Sequence, residues 1–146
     1  MSGLGEYETD FYGWAMEQAA LLRTGRLAEA DLGHIAEEIE SMGKSERREL
    51  VNRLTVLLAH LLKWQVQSEL RGNSWRLTII EQRRRLTEHL DDNPSLQPLL
   101  SGALAAAYRY ALLSAQRDTG LPETSFPGQC PWTFEQATNE HFWPDR

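Results

Sequence analysis

The chain has 146 residues, a formal net charge of −6, 41% apolar residues and 25% charged residues, which is typical of one folded domain rather than of a disordered chain. It contains no apolar run long enough for a transmembrane helix, and its acidic N-terminus does not resemble a signal peptide. The single cysteine, Cys130, excludes an intramolecular disulfide, so we expect a cytoplasmic protein with one domain over residues 1–146.

Helical periodicity along the chain, with almost no strand signal, predicts an all-α fold, a single compact bundle of about five main helices. The first predicted helix covers residues 10–24, and Gly25 ends it. The second begins after Asp31, whose side chain is a good N-cap, and ends near Gly43. The bundle itself is expected to span residues 10–120.

The third predicted helix, residues 45–67, is apolar around most of its circumference and is therefore expected to be central. The fourth follows Asn73 or Ser74 as its cap, and the fifth covers residues 96–119. Residues 121–146 are rich in proline and aromatic residues, which predicts an irregular C-terminal strap packed on the bundle. A Thr-x-x-Gln capping box at Thr133 predicts a short helix there.

The five tryptophans divide between these two regions. Trp14, Trp64 and Trp75 fall on helical apolar stripes, which predicts core positions. Trp132 and Trp143 lie in the strap and are expected to pack it against the helices.

Polar residues suitable for a site lie on the second and third predicted helices. His34, Glu37 and Glu38 share one helical face, and His60 and Lys63 share another. If the two helices pack antiparallel, a carboxylate can meet Lys63 inside the bundle. One interpretation is a structural ion pair between Lys63 and Glu37 or Glu38 that fixes the helix register. The other is a functional pocket between the helices.

The candidate ligand pocket comprises Glu37, Glu38, His60, Lys63, Trp64, Ser74 and Trp75. No metal site is assigned, because the order His-x-x-Glu reverses the motif of di-metal bundles and no second pair exists. The weak metal candidates are His34, Glu37, Glu38 and His60. The sequence names no cofactor, reaction or catalytic residue.

Charge is unevenly distributed: residues 1–43 carry −7, residues 44–90 carry +5 and residues 91–146 carry −4. The arginines of the basic 44–85 region raise nucleic-acid binding as an alternative function. Glu81 and Glu88 alternate with Arg84 and Arg85, however, which is typical of a solvated helix face. No DNA- or RNA-reading motif accompanies them, so the sequence disfavours a nucleic-acid partner.

Several blocks of the sequence resemble one bacterial family. The blocks are YETDFYGW at 7–14, LR at 22–23, Asp31, IAEEIESMG at 35–43, LAHLLKW at 58–64, SW at 74–75, QR at 82–83, PSL at 94–96, Tyr108, Ala111, TGL at 119–121 and FPxxCP at 126–131. Together they are similar to family 29 of the domains of unknown function, over essentially the whole chain.

The resemblance implies an all-helical fold and no known activity, and the candidate pocket residues match its pattern. The sequence has many signals for helices and a core, whereas it has few arrangements of residues that are typical of catalytic sites. We therefore expect a non-enzymatic interaction or regulatory module that presents a helical surface to a protein partner or to a second copy, with no membrane association. An enzyme or a small-ligand or metal binder that uses the interhelical pocket remains the competing hypothesis.

Overall fold

A computed structural model describes residues 4–145 of the chain. Its α-helices are α1 (Leu4–Thr9), α2 (Phe11–Arg23), α3 (Leu32–Val66), α4 (Asn73–Asp92), α5 (Leu100–Thr119) and α6 (Phe134–Thr138), and four short 3-10 turns join them. The described residues contain no strand, which confirms the predicted all-α class. Within the same residues, no helix is both long and apolar enough to cross a membrane.

The contacts divide the chain into an N-terminal unit that ends at Ser45 and a C-terminal unit that begins at Glu46. The boundary falls inside α3, so one helix contributes to both units. The prediction of one domain over 1–146 stays a prediction, and each unit is described by itself below.

In the N-terminal unit, α2 forms where the sequence predicts the first helix. The Asp10 side chain accepts a hydrogen bond from the backbone N–H of Gly13 and so caps the first turn. The chain leaves the helix through Gly25, whose φ of 73° is in the left-handed region. Trp14 and Leu21 of α2 are buried, as the apolar stripe predicts. The sequence does not predict the short helix α1.

The predicted break between the second and third helices is wrong, because α3 runs without interruption from Leu32 to Val66. A glycine ends a helix when it adopts positive φ. Gly25 and Gly120 do so, at 73°, whereas Gly43 does not. No proline follows Gly43 to stop the helix. The glycine is therefore accommodated within the helix at a modest cost in free energy.

The core of the C-terminal unit is built on the second half of α3. Its leucines at positions 50, 54, 57, 58, 61 and 62 are fully buried. They belong to one cluster with Ile79 and Leu86 of α4 and with the alanines at 103, 107, 111 and 115 of α5. The expectation that this part of the chain is central is correct, since the helix buries residues around most of its circumference.

Two helix starts differ from the prediction. Helix α4 begins after Gly72, and neither Asn73 nor Ser74 provides the predicted cap; the Asn73 side chain instead accepts from Arg76. Residues Pro94–Leu99 form a 3-10 turn, so α5 begins at Leu100 rather than at residue 96. Pro98 inside this stretch lacks the N–H that an α-helix needs, which explains the delayed start. Gly120 ends α5 with φ 73°, as predicted.

The proline-rich C-terminal segment packs on α4 and α5 through its own apolar residues. Phe126, Trp132 and Ala137 are buried in the same core cluster. The Tyr108 hydroxyl of α5 donates to the Pro127 carbonyl at 2.5 Å. The predicted capping box is present, because the Thr133 and Gln136 side chains each bond to the other residue's backbone N–H.

The continuity of α3 leads to a stability prediction. Gly43→Ala should stabilise the protein by about 0.5–1 kcal/mol, because alanine has the higher helix propensity and an added Cβ meets no atom within 4 Å. The free energy of unfolding from urea denaturation measures the effect. Gly120→Ala is the matched control and should destabilise, since its positive φ strains an L-residue. Destabilisation by Gly43→Ala would contradict the continuous helix.

Candidate functional site

The N-terminal unit contains a hydrogen-bonded cluster centred on Asp31, the residue before α3. Its Oδ2 accepts from Trp14 Nε1 at 3.0 Å and lies 2.8 Å from His34 Nδ1. Its Oδ1 accepts from the His34 backbone N–H at 3.4 Å, so Asp31 caps the helix as predicted. The bond to the His34 side chain is the main reason that the pKa of Asp31 is lowered.

Tyr7 and Glu38 extend the cluster. The Tyr7 hydroxyl donates to Glu38 Oε2 at 2.5 Å, and its ring stacks on the His34 imidazole with centroids 3.9 Å apart. The hydrogen bond with Glu38 is the main reason that the pKa of Tyr7 rises to about 12. The sequence does not single out Tyr7 or Trp14 as site residues, because no local spacing links them to α3.

This cluster fixes the start of α3 in a unit whose buried apolar residues are few. Asp31 is held further by the buried Gln18, whose Oε1 accepts from the Asp31 backbone N–H at 2.7 Å. The Glu37 carboxylate is exposed and lies 4.0 Å from His34 Nε2. Within residues 4–145, no group of three or more His, Cys, Asp and Glu side chains is arranged to hold a metal ion.

In the C-terminal unit, Lys63 is the centre of a second cluster. Its side chain is almost wholly buried, and Nζ donates to Asp118 Oδ2 at 3.0 Å. The ammonium also lies 5.3 Å from the centroid of the Trp75 ring, where it gains a cation–π interaction. The cluster thereby joins α3 to α4 and α5.

The predicted ion pair between Lys63 and Glu37 or Glu38 is wrong, because it required two antiparallel helices. All three residues lie in α3, a single continuous helix, so no turn brings Glu37 or Glu38 back towards Lys63. Glu38 pairs with Tyr7, and Lys63 pairs with Asp118. Of the weak metal candidates, His34, Glu37 and Glu38 belong to the N-terminal unit and His60 to the C-terminal unit.

His60 lies one turn before Lys63, and its Nδ1 is 2.8 Å from the Val56 carbonyl. Burial lowers the pKa of His60 below its ordinary 6.5, against the opposing effect of the Val56 bond, and the nearby Lys63 charge lowers it further. The neutral ring bonded to its own helix is typical of a structural histidine.

The remaining predicted pocket residues have packing roles or are exposed. Trp64 is half-buried, with its ring centroid 4.6 Å from that of Trp143 and 5.1 Å from the Arg71 guanidinium. Trp75 is also half-buried, so Trp14 alone of the three helical tryptophans is a fully buried core residue. Ser74 is exposed in the first turn of α4.

The described residues define an all-helical protein. The chain belongs to the family described as Domain of unknown function DUF29, whose model matches residues 6–143. The resemblance seen in the sequence is thereby confirmed. No curated protein and no solved structure matches the chain. A function therefore has to be inferred from the residues themselves.

The Lys63–Asp118 pair leads to a second prediction. Asp118→Asn should destabilise the protein by about 1–2 kcal/mol, less than for a fully buried pair because the Asp118 side chain is 46% exposed. Lys63→Met in the Asp118→Asn background should recover most of that loss, since no unpaired buried ammonium remains. Urea denaturation measures both. Equal stability of wild type and Asp118→Asn would contradict the assigned pairing.

A third prediction concerns pH. Because the pKa of folded His60 is lowered from 6.5, the unfolded chain binds a proton that the folded chain does not. The free energy of unfolding should therefore fall as the pH decreases below 6.5. His60→Gln should make this pH dependence shallower. Urea denaturation above and below pH 6.5 measures the free energy of unfolding of both proteins. Identical pH dependence in the two proteins would contradict the buried neutral histidine.

Proposed function

We propose that the chain is a protein-interaction module whose N-terminal unit presents the first half of α3 to a partner helix. The observation that carries this proposal is an exposed apolar seam formed by Leu32, Ile35, Ile39 and Met42. Leu32, Ile39 and Met42 are each more than half exposed, and Ile35 is half-buried.

The seam has the spacing that helix pairs use. Its residues follow one another at intervals of three, four and three positions, which is the a/d pattern of a helix–helix interface. On a helix these positions form one narrow stripe. No residue of α3 before Leu50 is buried, although the helix begins at Leu32. The side chains that would form a seam are therefore available to a partner.

Further apolar side chains are exposed elsewhere in the N-terminal unit. They are Phe11, Tyr12, Met16, Leu22 and Leu27. Single exposed apolar residues are ordinary on protein surfaces, whereas a concentration of them in a short segment is typical of interaction sites. Burial of each large apolar side chain contributes about 1.5–3 kcal/mol, and the affinity for a partner is what remains after the cost of association.

The negative charge of the N-terminal unit indicates that the partner helix is basic. Residues 1–43 carry a net charge of −7, and the half-buried Glu38 and the exposed Glu40 lie on either side of Ile39 in the seam. A partner helix with basic residues beside its apolar stripe would be attracted to this surface, whereas an acidic helix would be repelled. We therefore propose a basic amphipathic helix as the occupant, in a protein of the bacterial cytoplasm.

The test uses a designed helical peptide with leucine at positions a and d and lysine at positions e and g. Its matched control carries glutamate at e and g. The protein should bind the basic peptide more tightly than the acidic one, and salt should weaken the binding. Titration followed by fluorescence anisotropy measures both affinities.

Variants locate the contact. Ile39→Ser should reduce the affinity for the basic peptide by about tenfold or more, because it removes a central apolar contact of the seam. Leu77→Ser, at an exposed leucine of α4, should leave the affinity unchanged. Equal affinity for the two peptides, or equal loss in the two variants, would overturn the proposal. So would a dimer in sedimentation that Ile39→Ser dissociates, because a second copy would then occupy the seam.

A further inference from the structure

Arg83 of α4 carries a buried guanidinium that the fold satisfies only in part. The residue is 3% exposed. Its Nε donates to the Ala137 carbonyl at 2.8 Å and its Nη2 to the Phe142 carbonyl at 2.7 Å. Nη1 is buried, and no described residue accepts a hydrogen bond from it. A buried charged donor without an acceptor is costly and calls for a missing partner.

The positive charge of Arg83 is also not matched by a carboxylate. Among the described residues, the ion pairs do not include Arg83. Burial lowers the pKa of Arg83 to about 10, so the group is still a cation at neutral pH. The Trp143 ring lies 5.2 Å from the guanidinium carbon and offsets part of this charge through its π face.

Arg83 lines a cleft of about 650 Å³ between α4 and the C-terminal segment. Clefts of roughly 300–1,000 Å³ are typical of small-ligand sites. Arg76 and Arg84 of α4 add two further guanidinium groups to its lining, and Ile80 and Trp143 add apolar surface. The cleft thus combines cationic groups with an apolar wall.

The acids of this cleft do not cancel its positive charge. Glu88 and Glu140 also line it, against three arginines. The Glu140 carboxylate lies 3.5 Å from His141 Nε2 and so has a contact of its own outside the arginines. The formal balance remains positive, which favours an anionic ligand.

We propose that this cleft binds a small organic phosphate. Its phosphate group accepts from Nη1 of Arg83 and pairs with Arg84 and Arg76, while its organic part packs on Ile80 and Trp143. A phosphate is favoured over a carboxylate because its greater charge matches several guanidinium groups, which form paired hydrogen bonds with it. Nη1 is covered in the free protein, so binding requires a local rearrangement at the wall of the cleft that uncovers it.

Calorimetric titration with phenyl phosphate tests the proposal, with benzoate and phenol as probes of matched size. Phenyl phosphate should bind with one site per chain, benzoate more weakly, and phenol not at all. Absence of phenyl phosphate binding up to millimolar concentration would overturn the proposal. Equal binding of benzoate and phenyl phosphate would contradict the choice of phosphate.

Two substitutions on α4 form a matched pair. Arg84→Gln should weaken phenyl phosphate binding by about tenfold, the loss expected for one charge-assisted hydrogen bond. Arg85→Gln should leave it unchanged, because Arg85 is exposed, pairs with Glu81 and does not line this cleft. Equal loss in both variants would assign the binding to diffuse surface charge and overturn the proposed site.

Arg83→Lys tests the buried group itself while retaining its charge. It should weaken phenyl phosphate binding by more than tenfold, since lysine cannot donate to the two carbonyls and to the ligand in the same fork geometry. If this variant does not fold, Arg84→Gln still decides the outcome. Binding of a single-stranded oligonucleotide without binding of phenyl phosphate would overturn the proposal in favour of a nucleic-acid surface.

Discussion

The structure depends on one constraint: α3 does not turn at Gly43. A helix that turned there would place its acidic first half against its own leucine-rich second half, and the ion pair between Glu37 or Glu38 and Lys63 would be reasonable. Because Gly43 keeps negative φ, the helix continues. Within the N-terminal unit, Leu32, Ile39 and Met42 are exposed. Within the C-terminal unit, Lys63 pairs with Asp118 of α5.

Each of the two polar clusters is formed by residues of a single unit. In the N-terminal unit, Asp31 collects hydrogen bonds from Trp14 and His34 and so fixes the first turn of α3. In the C-terminal unit, Asp118 neutralises the buried Lys63 beside Trp75. The polar groups of both clusters are engaged with one another. Binding is therefore better attributed to what the fold leaves unsatisfied, namely an apolar seam and a buried guanidinium.

The sequence predicts those parts of the fold that local chemistry determines. Asp31 as a cap, Gly120 as a helix end and the capping box at Thr133 each depend on a few neighbouring residues, and each is confirmed. Gly43 was misleading because glycine permits a helix end without imposing one. Contacts between residues far apart in the chain, such as Tyr7 with Glu38 and Lys63 with Asp118, produce no recognisable spacing pattern in the sequence. The candidate pocket stays a prediction, and its residues include members of both clusters: Glu38 in one and Lys63 and Trp75 in the other.

The continuity of α3 is tested most directly by nuclear magnetic resonance of the full chain. The structure predicts helical Cα chemical shifts from Met42 through Ser45 and Hα–Hβ Overhauser contacts between residues three apart on both sides of Gly43. A positive φ at Gly43, with loss of those contacts between residues 40 and 46, would contradict it. Two separate helices that meet at Gly43 could then pack antiparallel, and a pairing of Glu37 or Glu38 with Lys63 would again be reasonable.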